Sequence, residues 1–132
     1  MGCRISRSLL DAIRQESAIV APEEACGLLF GTTAQIDGWT PARNVAEQPE
    51  RRFEIDPATL FAALRAERTG GAALIGYWHS HPSGDPTPSR TDGAMAQPDG
   101  KLWLILGSEF RLWQAGKAGL HGRFEEVPIE ID

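Results

Sequence analysis

The stretch AALIGYWHSHPSGDPTPSRTD, residues 72–92, joins an apolar run to a polar segment rich in proline. The apolar part, residues 72–81, has the length and composition of a buried β-strand, and its last residues are two histidines. Pro82, Pro86 and Pro88 disfavour regular structure beyond it, because proline lacks a backbone N–H. The stretch therefore predicts a strand that ends in a stiff loop with histidines at its base.

The rest of the chain alternates helical and strand patterns. Ser6 can cap a first helix, and Asp56-Pro57 is a strong start for a second, which stops at Gly70-Gly71. Helices interleaved with buried strands predict an α/β layered fold with a mixed sheet. No repeat or long linker divides the chain, so we expect one domain over 1–132. We predict helices over about 7–20, 57–69 and 89–97, and strands over about 25–31, 39–44, 53–55, 72–81, 101–107, 109–116 and 122–127.

Composition narrows the functional classes. The formal net charge is -5, which argues against a nucleic-acid-binding surface. No apolar run approaches the ~18 residues of a membrane helix, so we expect no membrane span. Two cysteines do not form a disulfide framework, and a reduced, cytoplasmic protein is expected. The sequence gives no indication of the oligomeric state.

His79 and His81 are candidate metal ligands. Residues two apart on a strand point to the same side, so both imidazoles can face one point, while Ser80 points away and is interpreted as structural. Asp92 follows the stiff loop and can complete a two-histidine, one-aspartate zinc site with a fourth position for water. Two alternatives stay open here. The histidines can be half-buried and bonded to backbone, and Ser89 to Asp92 also matches a helix capping pattern in which Asp92 only caps.

Glu23 and Glu24 form a candidate acid–base pair just before the apolar strand ACGLLFG, residues 25–31. Exposed glutamates at a strand start are usually solvated, and we interpret Glu23 in that way. Glu24 adjoins a segment that enters the core and can point inward, where a base would take a proton from zinc-bound water and pass it to a leaving amine.

These residues together resemble the signature of the JAMM (MPN+) metalloprotease family. In that signature a glutamate precedes His-x-His-Pro, seven residues separate the second histidine from a serine, and two more separate the serine from an aspartate. Here His79, His81, Ser89 and Asp92 fall on that spacing, and Pro22-Glu23-Glu24-Ala25-Cys26-Gly27 is similar to the glutamate motif. The resemblance identifies Glu24 rather than Glu23 as the catalytic acid and covers about residues 5–127.

The resemblance implies a cytidine-deaminase-like α/β/α fold and a zinc peptidase of the small bacterial type. It implies one Zn²⁺ per chain, bound by His79, His81 and Asp92, with Glu24 as the base. Ser89 would donate a hydrogen bond to the oxyanion, unless it serves only as a helix cap. The implied partner is a ubiquitin-like or sulfur-carrier protein, cleaved after its C-terminal Gly-Gly tail to release cysteine or another amine.

Two other functions remain open at this stage. One is a metal-stiffened scaffold that binds an extended peptide without cutting it, although such a scaffold has no need of a base at Glu24. The other is a thiol hydrolase built on Cys26, although a cysteine within an apolar strand is more often a small buried side chain. His121 lies between glycines and is interpreted as a solvated turn residue.

Overall fold

The computed structural model describes residues 2–132. Within that range the chain forms three helices and eight strands. In chain order the elements are β1 Cys3–Ile5, α1 Arg7–Val20, β2 Cys26–Thr32, β3 Gln35–Ala42, α2 Pro57–Arg68, β4 Leu74–Ser80, α3 Arg90–Met95, β5 Leu102–Leu106, β6 Phe110–Leu120, β7 Phe124–Val127 and β8 Ile129–Ile131.

The strands form one mixed sheet with the order β7-β6-β5-β4-β2-β3-β1-β8. β4 is parallel to β5, and β1 is parallel to both β3 and β8, whereas the other neighbouring strands are antiparallel. α1 packs on one face of the sheet, and Leu60 of α2 lines a cavity with Tyr77 and Trp103 on the other. The predicted α/β/α layers around a central mixed sheet are therefore confirmed.

The core consists of two apolar clusters, one on each face of the sheet. Strand alternation divides β5 between them: Leu102 and Leu104 pack with α1, whereas Trp103 and Ile105 pack on the opposite face. In β4, Trp78 belongs to the α1 side. His79, the next residue, therefore lies on the opposite face, beside Trp103. We name this face, which carries the candidate histidines, the site face.

The sheet curls so that one chain segment contributes to both of its ends. β7 and β8 occupy opposite ends of the strand order, although only Pro128 separates them in the chain. The Pro128 carbonyl accepts a hydrogen bond from the Cys3 N–H at 2.9 Å, and the Asp132 N–H donates to the Ile5 carbonyl at 3.1 Å. The first strand, β1, and the last, β8, are thus paired next to Pro128, the residue that connects the two ends of the sheet.

The two longer helices begin where the sequence predicts. Ser6 Oγ accepts a hydrogen bond from the Leu9 N–H at 3.1 Å, and Asp56 Oδ1 accepts one from the Ala58 N–H at 3.1 Å. Each bond satisfies an N–H that has no partner within the helix. Of the helices within residues 2–132, none combines the length and the apolar character that crossing a membrane requires.

The strand predicted over 53–55 is wrong. Only Ile55 pairs in the manner of a strand there, in an isolated antiparallel bridge to Asn44 outside the sheet, because the surrounding segment folds around the Asn44 side chain. The strand predicted over 39–44 begins earlier and ends earlier, since Gln35 and Ile36 pair with both β1 and β2. β1 and β8 were not predicted, because three residues are too few to show a periodic pattern.

Candidate metal centre and active site

The two histidines lie side by side on the site face. Their Nε2 atoms are 3.0 Å apart. His79 is completely buried at the end of β4, and His81 is partly buried just beyond it. Ser80 points to the other face, where its Oγ accepts a hydrogen bond from the Ala25 N–H at 2.8 Å. The geometry expected from strand alternation is present.

Asp92 reaches the same point from the first turn of α3. Its Oδ2 lies 3.2 Å from His79 Nε2 and 3.1 Å from His81 Nε2, and the residue is only 2% exposed. The same oxygen accepts a hydrogen bond from the Ser89 N–H at 2.9 Å, while Ser89 Oγ accepts one from the Asp92 N–H at 3.0 Å. The helix cap and the contact with the histidines coexist, so the two sequence interpretations of Asp92 are compatible.

The donor atoms in this cluster fit a zinc ion. His81 Nδ1 donates a hydrogen bond to the Asp85 carbonyl at 2.7 Å, so Nε2 of the neutral ring presents its lone pair to the centre. Three electron-pair donors at separations of 3.0–3.2 Å repel one another unless a proton or a cation lies among them. A tetrahedral zinc with bonds of about 2.0–2.1 Å keeps its ligands about 3.3–3.4 Å apart, close to the observed spacing.

The ionisation of the three side chains is mutually dependent. Burial alone would raise the pKa of Asp92, but His79, His81 and the Ser89 N–H hold that pKa well below its usual range. Burial lowers the pKa of His79, although Asp92 opposes the change. Burial acts in the same direction on His81, but the bonds to Asp92 and to the Asp85 carbonyl outweigh it and raise its pKa. An ionised aspartate and neutral histidines are the metal-binding forms, so metal binding to His81 competes with a proton.

Glu24 lies beside the cluster, at the entry to β2. It is 5% exposed, and its Oε1 atom is buried without a hydrogen-bond partner. Burial raises the pKa of Glu24 to about 7, partly offset by the charge of His81. Glu23, its neighbour, is exposed. The structure thus separates the two glutamates, with Glu24 inside the site and Glu23 in solvent.

Two carboxylates are near enough to be considered as metal ligands. One ligand atom from each of Glu24, His79 and His81 lies within 4.8 Å of the other two. Asp92 is closer, because its oxygen is within 3.2 Å of both imidazole nitrogens. This geometry favours Asp92 as the direct ligand. Glu24 is further from the metal position and could contact it through a water molecule.

A cavity of about 260 Å³ opens onto these side chains. Glu24, His81 and Ser89 line it together with polar and proline residues of the neighbouring loops. Ser89 is partly buried, and its oxygen uses a lone pair for the helix cap, so the hydroxyl hydrogen is free to donate. All five residues predicted for the site therefore meet at one place: Glu24, His79, His81, Ser89 and Asp92.

Two aromatic side chains pack against the His79 ring, and the sequence did not predict these contacts. The Phe53 ring stacks on the His79 ring with centroids 4.2 Å apart and an interplanar angle of 24°, and Trp103 meets it edge-on at 5.6 Å. These contacts restrict the orientation of the His79 ring. Phe53 was predicted in a strand over 53–55, and an apolar residue in a strand indicates only that it is buried. Nothing in the neighbouring sequence indicates contact with the histidines.

Residues 81–89, which we name the metal loop, are held from outside by three donors. His121 is an exposed turn residue, as predicted, but its Nε2 also donates to the Pro88 carbonyl at 2.9 Å, which the sequence did not indicate. Its side chain is directed back by a left-handed turn with φ of 56°. The other two bonds run from Trp113 Nε1 to the Pro86 carbonyl at 3.1 Å and from the Ser108 N–H to the Gly84 carbonyl at 2.6 Å.

Cys26 is close to the site but unsuited to nucleophilic chemistry. It is 1% exposed, and its thiol donates to the Ala42 carbonyl at 3.6 Å. Burial, with the charge of Glu24, raises the pKa of Cys26 to about 12. Because the thiolate is the reactive form, this environment argues against a thiol hydrolase.

Comparison with known proteins agrees with this geometry. Residues 6–117 match the family model described as prokaryotic homologs of the JAB domain. A desampylase of Haloferax volcanii is 35% identical over 127 residues, which cover 95% of this chain and 90% of that protein. A probable TtuB-protein conjugate cleaving protease of Thermus thermophilus is 34% identical over 88 residues, 67% of this chain and 59% of that protein.

Two solved structures share the fold. Protein DSY2949 of Desulfitobacterium hafniense superposes with a TM-score of 0.83 at 23% identity, covering 98% of this chain and 92% of that one. A structure described as a metalloprotease-like zinc site in the proteasome and signalosome superposes with a TM-score of 0.62 at 21% identity, covering 100% and 99%. With a family model that matches most of its length and a full-length relative at 35% identity, the chain belongs to the prokaryotic JAB-domain family of JAMM proteins.

Proposed function

We propose that this protein is a zinc-dependent JAMM peptidase that hydrolyses the amide bond after the C-terminal Gly-Gly tail of a ubiquitin-like or sulfur-carrier protein. The observation that carries the proposal is the convergence of His79, His81 and Asp92 within 3.0–3.2 Å beside the buried Glu24. The names of the relatives, a desampylase and a probable TtuB-protein conjugate cleaving protease, support this substrate class. We place the reaction in the cytoplasm and assign it to a single domain, residues 1–132.

His79, His81 and Asp92 are the residues that would hold the metal, one ion per chain. When bound, zinc supplies Lewis acidity for the attack of water on a carbonyl carbon. Asp92 is suited to this role because two histidines and the Ser89 N–H stabilise its ionised form. His81 is oriented by the Asp85 carbonyl, and His79 by the stacked Phe53 ring. Such supporting contacts fix ligand orientation and tune affinity in metal sites.

We assign Glu24 as the general base that transfers the proton from water to the leaving amine. Burial raises the pKa of Glu24 and so strengthens it as a base, and a carboxylate in this position can accept a proton from water and return it to the leaving amine. The burial that raises the pKa also leaves Oε1 without a competing partner, so the carboxylate remains available to water. This feature argues against the non-cleaving scaffold, which would gain nothing from an unpaired buried carboxylate.

We assign Ser89 as the hydrogen-bond donor to the oxyanion. Its oxygen already accepts the Asp92 N–H, and its hydroxyl hydrogen faces no other assigned acceptor. A donor held in this way by a helix cap needs little reorganisation when negative charge develops on the substrate oxygen. Ser89 thus combines the cap and the catalytic role that the sequence left as alternatives.

The size of the cavity favours a tail with small side chains. The scissile carbonyl has to approach His81, Glu24 and Ser89 in a space of about 260 Å³. Glycine residues let a peptide backbone approach closely, whereas larger side chains occupy the same space. An extended tail could also bind by strand addition, with main-chain hydrogen bonds supplying affinity.

The test is hydrolysis of defined conjugates by the purified protein, with added zinc and with a chelator. We expect mass spectrometry to show cleavage after the second glycine of the carrier, releasing cysteine or a lysine-linked amine, and we expect the chelator to abolish it. Efficient cutting of unrelated internal sequences, with Gly-Gly adducts left intact, would refute the substrate assignment. Activity that survives chelation would refute the metal assignment.

A further inference from the structure

The side chain of Asn44 forms five hydrogen bonds, all to backbone groups. It lies just beyond β3 at the start of residues 43–56, which we name the base loop, and it is partly buried. Asn44 Nδ2 donates to the carbonyls of Glu24 (3.0 Å), Arg52 (3.0 Å) and Pro49 (3.3 Å), and Asn44 Oδ1 accepts from the N–H groups of Ala46 (3.0 Å) and Glu54 (3.1 Å).

These contacts fix the orientation of the amide. Oδ1 faces only N–H groups, and Nδ2 faces only carbonyl oxygens, so a rotation by 180° would turn five attractive contacts into five repulsive ones. The two hydrogens of Nδ2 are shared among three carbonyls. No other residue type of this size carries both a double donor and a double acceptor, so the position requires asparagine.

One of the five bonds reaches the residue assigned as the base. The peptide group between Glu24 and Ala25 is held at both ends: Asn44 donates to its carbonyl, and its N–H donates to Ser80 Oγ at 2.8 Å. The preceding N–H of Glu24 donates to the Pro49 carbonyl at 2.7 Å, within the base loop that Asn44 organises.

The Glu24 side chain has little else to position it. Its Oε1 atom is buried without a hydrogen-bond partner, so the location of the carboxylate depends on the backbone and on the packing around the side chain. A base has to lie within about 2.6–3.2 Å of the proton it removes, or one water away. A small shift of the Glu24 backbone therefore changes proton transfer directly.

We propose that Asn44 is a positioning residue for the reaction, which sets the place of the Glu24 carboxylate by binding the Glu24 carbonyl and tying it to the base loop. This inference rests on the proposed function, since it takes Glu24 as the base. Asn44 touches neither the metal ligands nor the cavity that contains Ser89. Its removal should impair proton transfer and leave metal binding unchanged.

The experiment compares Asn44→Ala and Asn44→Asp with the native protein. Alanine removes all five bonds. Aspartate keeps the acceptor for Ala46 and Glu54 but sets an oxygen against the carbonyls of Glu24, Pro49 and Arg52, so the Ala46 and Glu54 amides report whether the base loop still folds in this variant. Gln48→Ala is the matched control, because it removes an exposed amide from the same loop.

We expect both Asn44 variants to lower kcat by about 10²-fold, as for a reacting group displaced by about 1 Å. KM and the zinc affinity, measured by competition with a chromophoric chelator, should stay near the native values. Amide exchange of Ala46 and Glu54 should accelerate in Asn44→Ala and remain slow in Asn44→Asp. In a Glu24→Gln background, followed in single-turnover reactions with excess enzyme, Asn44→Asp should change the residual rate by less than about threefold.

Native kcat in Asn44→Asp would overturn the proposal, because Asn44 would then only scaffold the loop. A rise in KM alone, loss of zinc, or a full additional loss in the Glu24→Gln background would overturn it as well. If Asn44→Ala fails to fold, Asn44→Asp decides the question. Failure of the proposed function is distinguishable, because the native protein would then not cleave Gly-Gly adducts at all, whereas the exchange and metal measurements would still report on Asn44.

Discussion

The metal loop and the base loop meet at one site but are anchored in different ways. The metal loop contains three prolines, and its carbonyls accept hydrogen bonds from three donors on separate parts of the sheet and its turns. The base loop is closed by backbone hydrogen bonds of its own, and its side-chain support comes mainly from Asn44, which binds it from within. The metal loop thus has distributed support, from several donors outside it, whereas the side-chain support of the base loop is concentrated in one residue.

The difference relates to what each loop delivers. Ligands of a metal have to be set at fixed distances, and proline restricts the loop before it folds, which lowers the entropy lost on ordering. Loss of one of three outside bonds leaves two in place. The base, by contrast, is a buried carboxylate whose backbone carbonyl is bound by one side chain, Asn44, so a substitution of that side chain can displace it. The following predictions test this contrast from the largest expected effect to the smallest.

The largest effect is expected from His79 and Asp92, the two ligands that flank the metal loop. His79→Ala or Asp92→Ala should remove both bound zinc and turnover, because each variant leaves the ion only two of its three protein ligands. Elemental analysis should give about one zinc per native chain and almost none in either variant. Stoichiometric zinc in both variants would show that the metal lies elsewhere.

The next effect concerns the base. Glu24→Gln keeps the shape of the side chain but cannot accept a proton, so kcat should fall by about 10²–10⁴-fold with zinc retained. Glu23→Gln is the natural control, because Glu23 is exposed one residue away, and it should be nearly silent. The opposite pattern in the two variants would shift the catalytic assignment by one residue.

A smaller effect is expected at the end of the metal loop. Ser89→Ala should lower kcat by about 10²–10³-fold, the usual consequence of losing one oxyanion donor. Ser89→Thr retains both hydroxyl and helix cap and should keep most of the activity. A fall in thermal stability with kcat unchanged in Ser89→Ala would reduce Ser89 to a cap.

The smallest effect tests the distributed support itself. His121→Asn suits the left-handed backbone but is too short to reach the Pro88 carbonyl, so it removes one bond without backbone strain. Either His121→Asn or Trp113→Phe should lower kcat/KM by at most about tenfold, the value of one neutral hydrogen bond. Steady-state kinetics of the two variants and of their combination measure this. A single variant as impaired as Asn44→Ala would contradict the contrast between the loops.

Local patterns in the sequence account for the parts of the site that lie on one short segment. Spacing by two on a strand brings His79 and His81 together, and the capping pattern brings Ser89 to Asp92. The position of Glu24 next to a strand that enters the core favoured it over Glu23, and the family resemblance identified it as the catalytic acid.

The residues that support the site could not be predicted in the same way. Asn44, Phe53 and His121 act through partners far away in sequence, and nothing in their neighbourhoods indicates those partners. The same reason explains the missed strands β1 and β8, which exist only because they pair with each other and, for β1, with β3. Short elements made by long-range pairing leave no periodic signal.

The position of Pro128 has a consequence for how the molecule unfolds. Because β7 and β8 continue one another through this residue, the two flanks of the sheet are mechanically linked rather than independent. Release of β8 would free the outer side of β1 and leave β7 held only by its pairing with β6. Fraying that begins at one flank is therefore transmitted to the other, and the sheet should lose its structure in a single cooperative transition rather than strand by strand from its edges.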